Sequence, residues 1–378
     1  MNRTLIVLGL LLLTAAAAGV EAPGDESKPI LHLDVALENG RLVPVSVART
    51  FDGREIRRFP GMVAPTLSPG GNELAAVRES LQLMTLDGIR RVNIEPRHLP
   101  SRDERFFETH PAWSPDGQRV AAITVIPGAT VGDNAWAIVV LDAARGTPIT
   151  RIPIPVDTAA GCPYCMAFVN KFRWSPDGRS ILLSWGNTIV ANVDARRIRV
   201  VSETWSSADW CDSGTTVCFF EVDREGRDAP PRGFYSANLQ SGERDVLLDG
   251  DAIAGSMLTR SPFVPVPLVN TSPDGGQLVV NSQAKDGGTV LRFYELTSPA
   301  RPDLRRPDKT VHTAETIPQV VWSPSGRSIA AIAASGWTNF RLLRFDLSTD
   351  QWTVLAELAL GSDTPPEAFA YKALSWAE

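Results

Sequence analysis

Nothing in this sequence concentrates charge of one sign. Lys and Arg number 37 against 43 Asp and Glu, a formal net charge of −6, and the basic residues gather only in small groups such as Arg196, Arg197 and Arg199. Phosphate neutralisation needs a concentrated positive face, so nucleic acid is excluded as a partner class. Histidine is scarce as well. His32, His98, His110 and His312 are too scattered for a metal-ligand spacing or a Ser-His-Asp arrangement. The chain has no phosphate-binding glycine loop and no Gly-x-Ser-x-Gly nucleophile elbow. Beyond residue 20 it has no apolar run long enough to span a bilayer as a helix.

The one long apolar run is N-terminal. Arg3 precedes a 16-residue run from Leu5 to Val20, and Val20-Glu21-Ala22 places small residues at −3 and −1 of a cleavage site. A spanning helix needs about 20 residues, so the segment reads as a cleaved signal peptide, residues 1–22, rather than an anchor. With no Cys beside the site, lipid attachment is not expected. The mature chain, 23–378, is then expected to be a single exported domain, periplasmic or secreted, with no membrane span.

What is abundant is turn chemistry. Gly and Pro stand at 29 each, which for Pro is about 8% against a usual ~5%. Ser114-Pro115-Asp116-Gly117, Ser175-Pro176-Asp177-Gly178 and Ser272-Pro273-Asp274-Gly275 are identical tetrapeptides. Weaker copies are Ser68-Pro69-Gly70-Gly71, Ser323-Pro324-Ser325-Gly326 and Cys211-Asp212-Ser213-Gly214. Pro presets φ for the second turn position, Asp or Ser bonds the backbone locally, and Gly accepts the positive φ that closes a hairpin. Before each copy stands Leu67, Trp113, Trp174, Trp210, Thr271 or Trp322. After each comes a β-rich run such as Val120–Val125, Ser180–Ser184, Gln277–Val280 or Ser328–Ile332, then a third run such as Ile138–Asp142 or Phe340–Asp346.

A strand, a Ser-Pro-Asp-Gly turn and three further strands, repeated, predict an all-β fold: a β-propeller of four-stranded antiparallel blades. The recurrent Trp then packs between adjacent blades. The motifs begin at 68, 114, 175, 211, 272 and 323, a mean step of 51 residues, and 356 residues after position 22 hold about seven such steps. Six motifs occur, but Leu374-Ser375-Trp376 repeats the innermost-strand pattern at the C-terminal end. At the N-terminal end, Ile30–Leu37, Arg41–Ala48 and Glu55–Phe59 read as three strands with no innermost one before them. Joining the two ends closes a seventh blade and removes the free edge. Six blades with end-capping strands is the alternative.

The repeated Trp-Ser-Pro-Asp-Gly with its β-branched strands resembles the TolB-like (WD-like) propeller repeat, found in bacterial TolB and in propeller domains of the prolyl oligopeptidase class. The resemblance covers roughly Gly61 to Leu358. It implies the fold more than a function, since this fold hosts binding, scaffolding and catalysis alike. TolB carries an α/β domain ahead of its propeller, for which this sequence leaves only some 38 residues. The peptidase class needs the nucleophile elbow that is missing here.

Four Cys in an exported chain point to disulfides. Cys211 opens the degenerate turn and Cys218 lies on the strand after it, so the two are expected to pair across one hairpin and contribute about 2–3 kcal/mol. Cys162-Pro163-Tyr164-Cys165 shares its letters with glutaredoxin-like redox centres, but Met166 to Trp174 leads into an innermost strand too soon for the helix such a centre needs. A local structural disulfide between Cys162 and Cys165 is the expectation, a thiol-redox role the alternative.

The loops that lead into the innermost strands, Glu95–Glu108, Pro155–Val169 and Gly250–Pro265, are long, and binding groups favour such loops. Polar residues just before the Trp positions are expected to surround the channel on that side: His110, Lys171, Arg173, Asp209, Asn270 and Gln319. The leading expectation is a monomeric, non-catalytic module that docks a protein or peptide partner of the cell envelope at the channel face, with no resident cofactor. The alternative is a lactonase-like, metal-assisted enzyme in which Asp209 and Asn270 hold a cation such as Ca²⁺.

Overall fold

The structure, a computed structural model, describes residues 28–38, 41–62, 65–77, 79–99, 105–107, 110–126, 136–154, 171–184, 187–222, 231–249, 267–284, 287–296, 306–335, 339–358 and 374–377. The N-terminal segment, Asn39-Gly40, the loops around 155–169 and 250–265, and the Cys162–Cys165 pair lie outside these residues. Among the described residues no helix is long and apolar enough to cross a membrane.

Each Ser-Pro-Asp-Gly copy closes a hairpin. In the second, the Gly117 N–H donates to Ser114 O at 2.8 Å, and the Ser114 hydroxyl bridges Asp116 Oδ1 at 2.5 Å and the Arg119 N–H at 2.9 Å. Gly117, Gly178 and Gly275 sit at φ of 68°, 68° and 73°, where a side chain would be strained. The degenerate copy lacks Pro, and Asp212 Oδ1 instead accepts the N–H groups of Gly214, Thr215 and Thr216 at 2.7–2.8 Å.

The hairpins build seven antiparallel sheets among the described residues. Blade 1 spans 66–94, blade 2 105–154, blade 3 171–202, blade 4 205–249, blade 5 268–313 and blade 6 316–358. Blade 7 is composite: Leu374–Trp376 pairs with Ile30–Glu38, followed outward by Arg41–Arg49 and Glu55–Pro60. Seven blades and closure through both ends agree with the sequence-based expectation. Blade 2 adds one detail, a second short inner strand, Arg105–Phe106, that shares the Arg119–Val125 strand with Ala112–Trp113.

The middle strands explain the ring. Ser180–Ser184, Arg119–Val125 and Ser328–Ser335 are buried almost without alternation, whereas outermost strands such as Arg197–Ser202 alternate. A strand buried on both faces needs a neighbour on both faces, and every blade therefore requires two others. The core accordingly divides into seven clusters, one per interface. Trp113, Trp174, Trp210, Trp322 and Trp376 occupy the same place in five of them. In three the indole also reaches the preceding blade: Trp113, Trp174 and Trp322 donate to the carbonyls of Thr66, Ala112 and Asn270 at 3.2, 2.9 and 3.0 Å.

The interface between blades 4 and 5 has Thr271 at this place. Its cluster contains Phe220, Phe234 and the Cys211–Cys218 disulfide, with a Cα–Cα separation of 5.6 Å. Because the Cys211 N–H bonds Thr216 O at 2.9 Å, Cys218 is a diagonal neighbour across the hairpin. The expected pairing is therefore present, on one of the two interfaces that have no Trp; the other, between blades 7 and 1, has Leu67 at that place.

In the closing blade His32 is buried and pairs with Leu374. Arg49 Nε donates to His32 Nε2 at 3.0 Å, which leaves the proton on Nδ1, 3.2 Å from Leu33 O. Burial, aided by Arg49 and Arg58, lowers its pKa from 6.5 to about 4. Between those values the unfolded chain takes up a proton that the folded chain refuses, so stability is complete above pH 6.5 and falls as pH drops toward 4.

Two outcomes follow for chemical denaturation. Trp174→Ala, at a side chain only 2% exposed, is expected to cost about 3–5 kcal/mol. Acidification from pH 6.5 to 4 is expected to remove about 3 kcal/mol through His32, and His32→Gln should flatten that part of the profile. An identical slope in wild type and variant would assign the loss elsewhere.

Candidate functional site

The seven innermost strands surround a channel, and the residue before each Trp position falls in the same register around the ring. In blade order these are Thr66, Ala112, Arg173, Asp209, Asn270, Val321 and Ser375. Blades 3, 4 and 5 thus contribute charged or amide side chains, and the other four contribute small or apolar ones. Two residues earlier on the same strand face, blades 2, 3 and 6 add His110, Lys171 and Gln319.

All six channel residues expected from the sequence line one cavity of about 210 Å³. The sequence reading missed Thr66, Ser207 and Ser375 in the same wall, and also Pro318, Val321 and Leu374 on its apolar side. The signal was available: Ser375 and Thr66 hold the same register as Asp209, and Ser207 lies two residues before Asp209 on one strand.

Asp209 is the centre of the polar side. Its side chain is fully buried, yet it accepts four donors. Lys171 Nζ lies 3.1 Å from Oδ2 and Arg173 Nη1 3.3 Å from the same oxygen. The Thr271 N–H donates to Oδ2 at 3.0 Å and the Trp210 N–H to Oδ1 at 2.9 Å. Burial pushes this carboxyl up, but the two cations and the backbone bonds outweigh it and hold the pKa below the usual carboxylate range. Lys171 also donates to Asn270 Oδ1 at 2.8 Å, and Arg173 to Thr271 O at 3.2 Å. One carboxylate on blade 4 therefore ties blade 3 to blade 5 across its own inner strand.

The chemistry of this arrangement is specific. A cation held by Asp209 and Asn270 would stand between their oxygens, and the Lys171 ammonium already stands there. Among the described residues no three His, Cys, Asp or Glu side chains lie close enough together to hold a metal ion. Among the described residues that line the cavity, the charged side chains are Lys171, Arg173 and Asp209, with His110 beside them. Gln319 is occupied differently: its Nε2 donates to Leu374 O at 3.3 Å, and its buried Oε1 has no partner among the described residues.

No family model matches the sequence, and no curated protein matches it at the sequence level. Among solved structures, a prolyl endopeptidase is similar with a TM-score of 0.53 at 13% identity over 87% of this chain, which spans 50% of that peptidase's length. A chain of the mitotic checkpoint complex gives 0.50 at 11% identity, covering 90% of this chain and 98% of that one. TolB from Acinetobacter baumannii gives 0.44 at 13% identity over 92% and 82% of the two chains. At such identities the likeness to the first two is one of fold, the β-propeller that the sheet order defines independently.

Removing one partner from a buried ion cluster costs about 3–5 kcal/mol because a charge is left uncompensated. Asp209→Asn is expected to lose that much in denaturant unfolding, with Lys171 and Arg173 left facing each other. Lys171→Gln is expected to lose clearly less, since Arg173 still pairs with Asp209. Equal losses would contradict the central role given to the carboxylate.

Proposed function

We propose that this chain is an exported, non-catalytic binding module that docks a protein or peptide partner at the channel face. Export rests on the N-terminal apolar segment and on the Cys211–Cys218 disulfide, a bond that persists in oxidising compartments. The observation that carries the binding role is the wall of the channel: a fixed polar side from blades 3 to 5 facing an apolar side that includes Val321 and Leu374. At about 210 Å³ the cavity is smaller than the 300–1,000 Å³ of usual small-molecule and cofactor sites. Engineered apolar cavities of about 150 Å³ hold benzene. One or two side chains of a larger partner fit that space, with the remaining contacts made at the mouth.

The metal-assisted alternative is disfavoured by the occupied position between Asp209 and Asn270. Peptidase chemistry of the kind named for the similar prolyl endopeptidase finds no nucleophile elbow in this sequence.

The test is capture from the exported fraction by immobilised mature chain. A partner retained by wild type and by Arg197→Ala, on an exposed outer strand, is expected to be lost with His110→Ala and with Lys171→Gln. Equal retention by all four proteins would overturn the channel-face assignment.

A further inference from the structure

We infer that the channel recognises a carboxylate, presented by an acidic side chain or by a free C-terminus of a peptide segment; the inference rests on the channel-face reading above. An ammonium has three N–H donors. Lys171 places two of them on Asp209 and Asn270 and has no further partner among the described residues, while its side chain remains 18% exposed to the channel. The amide of Asn270 accepts from Lys171 through Oδ1, and its Nδ2 donor has no partner among the described residues.

Charge gives the same answer. Lys171 and Arg173 both donate to Asp209, and that carboxylate already accepts four donors, so it has nothing left to offer a cationic ligand. The Lys171 ammonium is a fixed cation facing the channel in a chain that is formally −6. An anion is therefore drawn to the cavity by local geometry and not by the protein's overall field, and a charge-assisted bond to an ammonium in a desolvated wall is stronger than a neutral one. The apolar side, with Pro318, Val320, Val321 and Leu374, favours a carboxylate carried next to apolar groups over a freely hydrated inorganic anion.

The probes are three N-acetylated peptides of matched length: acetyl-Leu-Ala-Asp-Ala-Leu-amide, its Asn counterpart, and acetyl-Leu-Ala-Ala-Ala-Leu with a free C-terminal acid. Calorimetric titration into the mature chain is expected to show the Asp peptide, the free acid or both binding at least about tenfold more tightly than the Asn amide. The two carboxylate arms distinguish side chain from terminus. That preference should weaken from 0.05 to 0.5 M salt and vanish in Lys171→Gln. The comparison among peptides uses the wild-type chain, so it stands even if the variant unfolds. Equal binding of the Asn amide, or no binding by either acid, overturns the carboxylate inference. Loss of captured partner in the His110 and Lys171 variants would still uphold docking in that case, so the two readings fail separately.

Discussion

Closure of the ring is the constraint on which the rest of this molecule depends. The middle strands of each blade are apolar on both faces, and a blade left without a neighbour on one side would expose a whole wall of its core. An open arc would also present a free strand edge. The chain avoids both with a three-residue strand: Leu374–Trp376 pairs with Ile30–His32 and places Trp376 in the interface between blades 6 and 7. Little backbone pairing is involved, but it completes two interfaces at once, since Ala377 packs in the cluster between blades 7 and 1.

Because the ring is closed, the innermost strands are fixed in a common register, and the channel inherits it. A single sequence position, the one before Trp, is presented seven times around the wall. Four copies are small or apolar and three consecutive copies are Arg173, Asp209 and Asn270. Asp209 is affordable in a buried place only because two cations and two backbone amides converge on it, and those amides are held by the same strands that close the interfaces. Structure and site are thus one network: the carboxylate links blades 3, 4 and 5, and the Lys171 ammonium that helps neutralise it faces the cavity.

Much of this was legible in the residues. The turn motif is local chemistry, so Ser-Pro-Asp-Gly located the hairpins directly, and the Trp before it marked the interfaces. The pairing of Cys211 with Cys218 followed from hairpin geometry. The six channel residues could be chosen because alternation on a strand is regular. Other features depended on distances across the ring that no local pattern encodes. That Lys171 reaches Asn270 two blades away, or that Arg173 reaches the Thr271 carbonyl, requires the radius of the closed channel. Thr271 in the Trp place stood before a full copy of the motif and gave no sign of what replaces the ring, whereas the structure fills that interface with a disulfide and the Phe220–Phe234 pair. The split inner strand of blade 2 escaped notice because Arg105–Phe106 is two residues long and carries no turn signal.

The central claim, that one short strand completes the architecture that builds the channel, is tested most directly by equilibrium unfolding of a chain ending at residue 373. The account predicts a large drop in unfolding midpoint, with amide exchange accelerated both in Ile30–Glu38 and in the facing strand Thr316–Trp322. A midpoint and exchange pattern matching the full chain would contradict it.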